Sequence, residues 1–217
     1  MRNEAIEDYL KAIYEIQREK GKVATTVLAE RLQIQPASVT GMIKRLSEMN
    51  LLTYERYQGV KLSAAGKKIA LEVIRHHRLV ELFLAEALGV PWDKVHEEAE
   101  KWEHVLSEEL EERIDALLGY PTHDPHGAPI PDRNGEMAAH PEMLLADLKP
   151  SQSAAVVEVS DHDPELLRYL GSMGLYPRAE FVVLDVAPFE GPIKIEIENN
   201  EYILGNKIAR QIFVRSL

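Results

Sequence analysis

The spacing of hydrophobic and polar residues changes along the chain. Through most of the first 120 residues, apolar positions recur every three or four residues, which is the period of an amphipathic α-helix. From about residue 151 they alternate instead, in AAVVEV, EFVVLDV and IKIEIE, which is the period of a half-buried β-strand. Six of the 12 prolines lie between Pro121 and Pro150 and mark a linker between the two patterns. The chain is therefore expected to be helical first and β-structured last.

The first segment, residues 1–74, begins with three predicted helices. Residues 4–19 are amphipathic, and Thr25 or Thr26 is a suitable N-cap for a short helix that ends near residue 32. A proline opens the third helix, where its fixed backbone angle suits the first turn. The residues of this helix that are expected to face inward are Val39, Ile43 and Leu46.

The outer face of the third helix carries small and hydroxyl-bearing residues with basic neighbours. It includes Gly41, although an exposed glycine within a helix costs about 1 kcal/mol relative to alanine. Close approach to another surface would account for it, and such a face suits a helix in the major groove of DNA. The residues expected at a DNA interface are Gln35, Pro36, Ala37, Ser38, Thr40, Gly41, Lys44, Arg45, Arg56 and Lys61.

The stretch LLTYERYQGVKL predicts a hairpin with its turn near Gln58-Gly59, and Ser63 can cap the helix that follows. Helix, helix–turn–helix and hairpin together predict a winged helix–turn–helix. The alternative is a small helical domain with no role in DNA binding.

The second segment predicts two long helices within residues 75–120, separated at Gly89-Val90-Pro91. They carry more apolar surface than one pair of helices can bury, which predicts a homodimer. Two copies would also read the half-sites of a palindromic operator. The apolar residues concerned are Leu79, Leu82, Phe83, Leu84, Val95, Ala99, Trp102, Leu106 and Leu110.

The third segment predicts a small antiparallel barrel of the SH3 type. Its strands are separated by a helical patch at residues 164–173 and by turns at Gly191 and Asn199-Asn200. The predicted fold class is α+β. The predicted domains are a winged helix–turn–helix (1–74), a helical dimerisation domain with a proline-rich linker (75–140) and an SH3-like domain (141–217).

The charge distribution is compatible with DNA binding once the chain is divided. The net charge is −11, but the first 68 residues hold 12 Lys+Arg and 8 Asp+Glu, a balance of +4. The chain has no cysteine, which excludes disulfides and thiolate metal sites. No stretch resembles a signal peptide or a membrane span, so a cytoplasmic protein is expected.

The stretch HEEAEKWEH, residues 96–104, concentrates candidate metal ligands. In a continuous helix, its two histidines and two of its glutamates fall within a stripe roughly 100° wide. The alternative is a solvated helix face held by salt bridges. Further imidazole and carboxylate candidates occur in every other segment, so the chain as a whole favours a metal-organised protein. The candidates are Asp8, His77, Glu81, His96, Glu100, Glu103, His104, Asp124, His126, Glu158, Asp161 and Asp163.

The sequence resembles the diphtheria toxin repressor family of iron- and manganese-dependent transcriptional regulators. The matching stretches are EDYLKAIYEI, SVTGMIKRL, RHHRLVE and especially VHEEAEKWEHVLSEELEERI, and the resemblance continues through HGAPIP and the last domain. It implies a repressor of metal-ion homeostasis genes that binds operator DNA as a homodimer. It also implies no enzymatic activity, no small organic substrate and no membrane partner.

The resemblance implies two metal sites. The first joins the N-terminal helix to the second dimerisation helix and consists of Asp8, Glu100, Glu103 and His104. The second consists of His77, Glu81, His96, Asp124 and His126, with an acid from the last domain that is Glu158, Asp161 or Asp163. Manganese regulators without the third domain often have glutamate where Lys11 stands, so their closely spaced pair of metals is not implied here.

The resemblance also bears on the metal. Iron-selective members have sulfur ligands at the positions of Asp8 and Glu100, whereas carboxylate and imidazole ligands suit Mn²⁺. Mn²⁺ is therefore expected, with Fe²⁺, Co²⁺ or Zn²⁺ able to bind in vitro, and an iron-responsive regulator is the alternative. A metalloenzyme is the remaining alternative, although HEEAE lacks the second histidine of the zinc-protease pattern. The expected mechanism is that metal ties the winged domain to the dimer core and raises operator affinity.

Overall fold

The computed structural model describes residues 3–55, 59–139 and 143–217. It contains two compact units. The first consists of Met1–His77, Trp102–Ser107 and Pro131–Glu136, and the second of Arg78–Lys101, Glu108–Ile130 and Met137–Leu217. Among the described residues, no helix combines the length and the apolar content needed to span a membrane.

The first unit has the order of elements expected of a winged helix–turn–helix. Its elements are α1 (Glu4–Lys20), α2 (Thr25–Arg31), α3 (Pro36–Glu48), β1 (Leu52–Glu55), β2 (Gly59–Leu62) and the first part of α4 (Ala64–Glu86). The two strands pair antiparallel, from Leu52 opposite Leu62 to Glu55 opposite Gly59. Apolar residues of the three helices and both strands form one core, in which Leu10, Ile13 and Leu46 are fully buried.

Several local predictions for this unit are confirmed. Helix α3 starts at Pro36, and Val39, Ile43 and Leu46 are its buried residues. The Ser63 hydroxyl accepts a hydrogen bond from Gly66 N at 3.1 Å, as expected of a helix cap. The predicted threonine cap of α2 is wrong, because the helix begins at Thr25 itself and Ala24 takes the N-cap position. The predicted turn residue Gln58 and the predicted DNA contact Arg56 lie outside the described residues.

Helix α4 runs without interruption from Ala64 to Glu86, so the domain boundary predicted at 74/75 lies inside a helix. The predicted second long helix is wrong. It is two helices, α5 (Val95–Trp102) and α6 (Glu108–Leu117), joined by a turn. Three acidic residues in the first turn of α6 complement the helix dipole and mark a new helix start. Glu103 and His104 therefore lie in the turn, not on the helical stripe that the sequence predicted.

Most of the apolar residues that were expected at the dimer interface are instead buried within the single chain. Those that are buried are Leu79, Leu82, Leu84, Val95, Ala99 and Leu106, and Phe83 is partly buried. Of the predicted set, only Trp102 and Leu110 are exposed. The sequence analysis missed four other large apolar residues of this region that are exposed, which are Leu88, Val105, Leu117 and Tyr120.

The second unit ends in a five-stranded antiparallel sheet, which confirms the predicted small SH3-like β-domain and the α+β class. The elements are β3 (Ser153–Val159), α7 (Pro164–Ser172), β4 (Glu180–Val186), β5 (Ile193–Ile197), β6 (Asn200–Leu204), α8 (Asn206–Ala209) and β7 (Ile212–Ser216). The strand order is β6-β5-β4-β3-β7. Alternate residues of the strands pack with α7 in one core, as the period-2 pattern predicts.

Candidate metal centres

The first cluster of candidate ligands lies within the first unit and consists of Asp8, Glu103 and His104. One ligand atom from each lies within 4.8 Å of the others. His104 Nε2 is 2.8 Å from Asp8 Oδ1 and 3.4 Å from Glu103 Oε1. Helix α1 supplies Asp8, and the turn after α5 supplies the other two. Two carboxylates and an imidazole at this spacing form a donor set for a divalent cation.

The His104 ring is held from both sides. Its Nδ1 is 2.7 Å from Glu7 Oε2, so Nε2 is the nitrogen that faces Asp8 and Glu103. The hydrogen bond with Asp8, reinforced by Glu7 and Glu103, outweighs burial and raises the pKa of His104 to about 9. Because the ring is protonated near neutral pH, a cation bound at Nε2 must replace a proton. Glu7 has the place of the carboxylate partner that commonly orients a metal-bound histidine.

A second cluster lies within the second unit and is centred on Glu81, which is fully buried in α4. Glu81 groups with Asp124 and His126, and also with His96 and Asp161. Its Oε1 is 3.1 Å from His96 Nδ1, and its Oε2 is 3.8 Å from His126 Nδ1. His96 Nδ1 is in turn 3.9 Å from Asp161 Oδ2. Four candidate ligands from α5, the linker and the segment after β3 thus converge on the Glu81 carboxylate of α4.

The linker presents its two candidate ligands, Asp124 and His126, through a tight turn. Asp124 Oδ1 accepts hydrogen bonds from the backbone N–H groups of His126 and Ala128, at 2.8 and 3.0 Å. Gly127 sits in this turn at φ +92°, and a Cβ there would lie 2.0 Å from the carbonyl oxygen of Val157 on β3. Only glycine combines this backbone angle with so close an approach.

The second cluster passes a test for a bound cation. Among the residues that the structure describes, neither Asp124 Oδ2 nor His126 Nδ1 has a hydrogen-bond partner, although both atoms are buried. Asp124 Oδ2 lies 3.6 Å from Arg78 Nε, and this ion pair offsets part of its charge. Such atoms are costly unless an ion or water satisfies them. His126 Nε2 is 2.8 Å from the carbonyl oxygen of Trp92, which fixes the ring and leaves Nδ1 as the nitrogen that faces Glu81.

The pKa values at the second cluster indicate an excess of negative charge there. Burial, with the nearby Glu81 carboxylate, raises the pKa of Asp124 to about 7. Burial alone would lower the pKa of His126, but Glu81, Asp124 and Asp161 outweigh it and raise the pKa to about 9. A positive charge at this point is therefore favoured, whether it is a proton or a metal ion.

The structure places the remaining predicted ligands as follows. Glu100 lies on α5 in the second unit, where its Oε1 is 3.7 Å from His96 Nε2. His77 lies in the first unit, where its Nδ1 contacts Glu103 Oε2 and Lys11 Nζ. Of the three acids proposed from the last domain, Asp161 is the one that joins a cluster. Asp163 Oδ1 caps α7 instead, by accepting from two backbone N–H groups, and Glu158 lies buried on β3 outside the clusters found in the described chain.

The sequence reasoning missed two residues that orient ligands, Glu7 and Trp92. Glu7 carries a detectable signal, because a carboxylate on the apolar stripe of α1, three residues before Leu10, is expected to have a buried partner. The role of Trp92 is carried by its backbone carbonyl, so the residue type gives no signal.

The predicted DNA-facing residues of α3 are all exposed, as is Lys61 on β2. A Cβ added at Gly41 would meet nothing within 4 Å, so packing inside the chain does not require glycine there. Thr40 donates its hydroxyl to Pro36 O at 3.1 Å, which keeps the side chain close to the helix.

Comparison with known proteins gives three consecutive family matches. Residues 1–60 match the iron dependent repressor N-terminal DNA binding domain, and residues 63–132 match the iron dependent repressor metal binding and dimerisation domain. Residues 143–216 match the FeoA domain.

Individual relatives agree with these matches. The iron-dependent repressor IdeR of Mycobacterium tuberculosis is 32% identical over 97% of this chain and 96% of its own length. The regulator MntR of Bacillus subtilis is 38% identical over 55% of this chain and 84% of its own length. A solved manganese-dependent transcriptional repressor in complex with manganese has a TM-score of 0.90 at 38% identity, covering 98% of this chain and 100% of that one. The chain therefore belongs to the diphtheria toxin repressor family, and it is a metal-dependent, DNA-binding transcriptional repressor.

Proposed function

We propose that this repressor responds to Mn²⁺ and that the first cluster is its regulatory site. The observation that carries the proposal is the meeting of Asp8, from the DNA-binding segment, with Glu103 and His104 in the turn after α5. Through this site, metal supply would control genes of metal-ion homeostasis.

The donor set supports Mn²⁺ over Fe²⁺. The proposed ligands are carboxylates and imidazoles without a sulfur atom, and hard oxygen donors suit Mn²⁺. Solved relatives include manganese-dependent repressors, whereas IdeR is an iron-dependent one, so family membership alone does not select the metal. A relative, ScaR, has been solved with Zn²⁺ and with Cd²⁺. Tighter-binding metals are therefore expected to occupy the site in vitro.

The chain's own residues provide the switch. A bound dication supplies positive charge that carboxylates can share. Without that charge, protonated His104 and the Lys11 ammonium offset only part of the negative charge of Glu7, Asp8 and Glu103. The remaining repulsion weakens the attachment of α1 to the turn after α5. With it, Asp8 and Glu103 hold α1 and the turn in one position. Fixing α1 orders the domain that carries α3, so operator binding improves by preorganisation.

We propose a second, structural metal site at Glu81, His96, Asp124, His126 and Asp161. These residues come from four separate stretches of the second unit, so shared coordination would fasten the linker turn and the segment after β3 to α4 and α5. Whether His77 contributes stays a prediction.

We propose that the active form is a homodimer on a palindromic operator. In the second unit, Leu110 and Leu117 of α6 remain exposed, as do Leu88 shortly after α4 and Tyr120 shortly after α6. Exposed apolar residues in a segment that matches a dimerisation domain favour burial against a second copy. The exposed face of α3, with Lys44 and Arg45, would then enter the major groove in each half-site.

The decisive experiment separates metal occupancy from operator binding in Asp8→Ala. Calorimetry should show Mn²⁺ affinity lowered by at least about 10–100-fold. At saturating Mn²⁺, fluorescence anisotropy with labelled operator should show binding little better than that of metal-free protein. Glu4→Ala, an exposed carboxylate one turn earlier on α1, is the matched control and should behave as wild type.

If saturated Asp8→Ala binds operator as tightly as wild type, the proposed switch is wrong. The choice of metal is tested in parallel, by operator binding with Mn²⁺, anaerobic Fe²⁺, Co²⁺ and Zn²⁺. Strong activation by Fe²⁺ with weak activation by Mn²⁺ would favour the iron-responsive alternative.

A further inference from the structure

Lys11 occupies an unusual position for a lysine. It lies on α1, one turn after Glu7 and Asp8, and is buried with Glu103 and His77. Its Nζ is 2.7 Å from Glu103 Oε2, 3.0 Å from Glu103 Oε1 and 3.1 Å from His77 Nδ1. Lysine is almost never buried unless it is paired, and here both carboxylate oxygens and an imidazole face one ammonium.

The surroundings of this ammonium are those of a metal ion. Glu103 and His77 offer it two oxygens and a ring nitrogen, which are the same donor types that form the first cluster. Glu103 belongs to both arrangements, since its Oε1 is also 3.4 Å from His104 Nε2. Glu103 therefore lies between the cluster and a position that a fixed positive charge already fills.

We propose that the Lys11 ammonium takes the place of a second divalent cation beside the first cluster, and thereby limits this centre to one metal. The inference rests on the proposed metal site at Asp8, Glu103 and His104. Lys11 has two effects. Its ammonium compensates part of the charge on Glu103, and its side chain fills the space between Glu103 and His77.

The charge argument gives a direct test. Lys11→Glu replaces +1 by −1, a change equal in size to the charge of one dication, and it also adds a carboxylate next to Glu103 and His77. The variant should bind one more Mn²⁺ per chain than wild type. Metal content is measured after equilibrium dialysis against Mn²⁺. Low-temperature electron paramagnetic resonance should show that two Mn²⁺ ions in the variant are coupled, as expected for neighbouring ions.

Lys20→Glu is the matched control, because it makes the same charge reversal at an exposed position of α1. It should bind the wild-type number of Mn²⁺ ions. If folded Lys11→Glu binds no more Mn²⁺ than Lys20→Glu, the proposal for Lys11 is overturned.

Lys11→Met keeps the proposal testable if Lys11→Glu does not fold. It removes the positive charge next to the first cluster without adding a ligand, so the first Mn²⁺ should bind at least about tenfold more tightly. Unchanged or weaker binding in folded Lys11→Met overturns the proposal. Failure of the proposed first site is a separate outcome, which Asp8→Ala detects. If this variant binds Mn²⁺ as wild type does, the proposed function itself fails, and not only the role of Lys11.

Discussion

Glu7 provides a sharp test of the proposed first metal site because it contacts the proposed ligand His104 and is not itself in the cluster. Its Oε2 lies 2.7 Å from His104 Nδ1, and the side chain is buried. Glu7→Gln preserves the shape and an acceptor oxygen but removes the charge. Loss of a partner of this kind typically lowers metal affinity by about 10–100-fold, or about 1.4–2.7 kcal/mol.

Proton competition modifies this loss in a predictable direction. Glu7 helps to raise the pKa of His104 to about 9, so the variant also holds the competing proton less tightly. This offset is largest well below pH 9 and fades as the pH approaches 9. The affinity loss of Glu7→Gln should therefore be larger at pH 8.5 than at pH 6.5.

Calorimetric Mn²⁺ titrations at both pH values measure the effect, with Glu4→Gln as the exposed control on the same helix. At saturating Mn²⁺, Glu7→Gln should bind operator as wild type does, because the ligands Asp8, Glu103 and His104 are intact. Equal Mn²⁺ affinity of the two variants at pH 8.5 would refute the assigned role of Glu7.

Three further predictions concern other parts of the molecule. The pKa values of His104 and His126 are raised to about 9, so Mn²⁺ must displace protons and its affinity should rise between pH 6 and pH 9. Calorimetry in buffers of different ionisation enthalpy counts the protons released, and a count of zero would contradict this. Gly41→Glu should abolish tight operator binding but leave folding and Mn²⁺ binding intact, since its Cβ meets open space; unchanged operator affinity would place the DNA contact elsewhere. Gly127→Ala should displace the linker turn from Val157 O and weaken metal binding at the second cluster, and metal analysis equal to wild type would contradict that site.

Local elements were predictable where neighbouring residues determine them. Pro36 and the three- to four-residue spacing of Val39, Ile43 and Leu46 define α3, and alternation of apolar and polar residues, which is strict in β5, predicts the strands of the last domain. These patterns report which face of an element is buried, and the sequence contains that information directly.

The helical stripe in HEEAEKWEH was wrong for a physical reason. Periodicity alone does not show that a helix stops, and the acidic first turn of α6 that signals the break lies beyond the motif. Glu103 still reaches Asp8, but from a turn and not from the face of a helix.

The sequence predicted which residues are candidate ligands better than it predicted which of them lie together in one cluster. Asp124 and Asp161 join Glu81 through long-range packing that no local pattern contains. Asp161 and Asp163 carry the same side chain and lie two residues apart. The course of the backbone decides that Asp161 joins the cluster and Asp163 caps the helix, and residue type does not show this. The pairing of Lys11 with Glu103 spans 92 positions of the sequence and was likewise not predictable from spacing.

The continuity of α4 has a consequence for exchanging parts between related repressors. A chimaera joined at residue 74/75 would have its junction in the middle of this helix, so the buried residues Leu71, Val73 and Ile74 would have to pack against segments of the other parent. It would also take Asp8 from one parent and Glu103 from the other. If the proposed metal site is right, DNA specificity and metal response are inherited together, and a transplant that keeps both must carry residues 102–107 along with the winged helix.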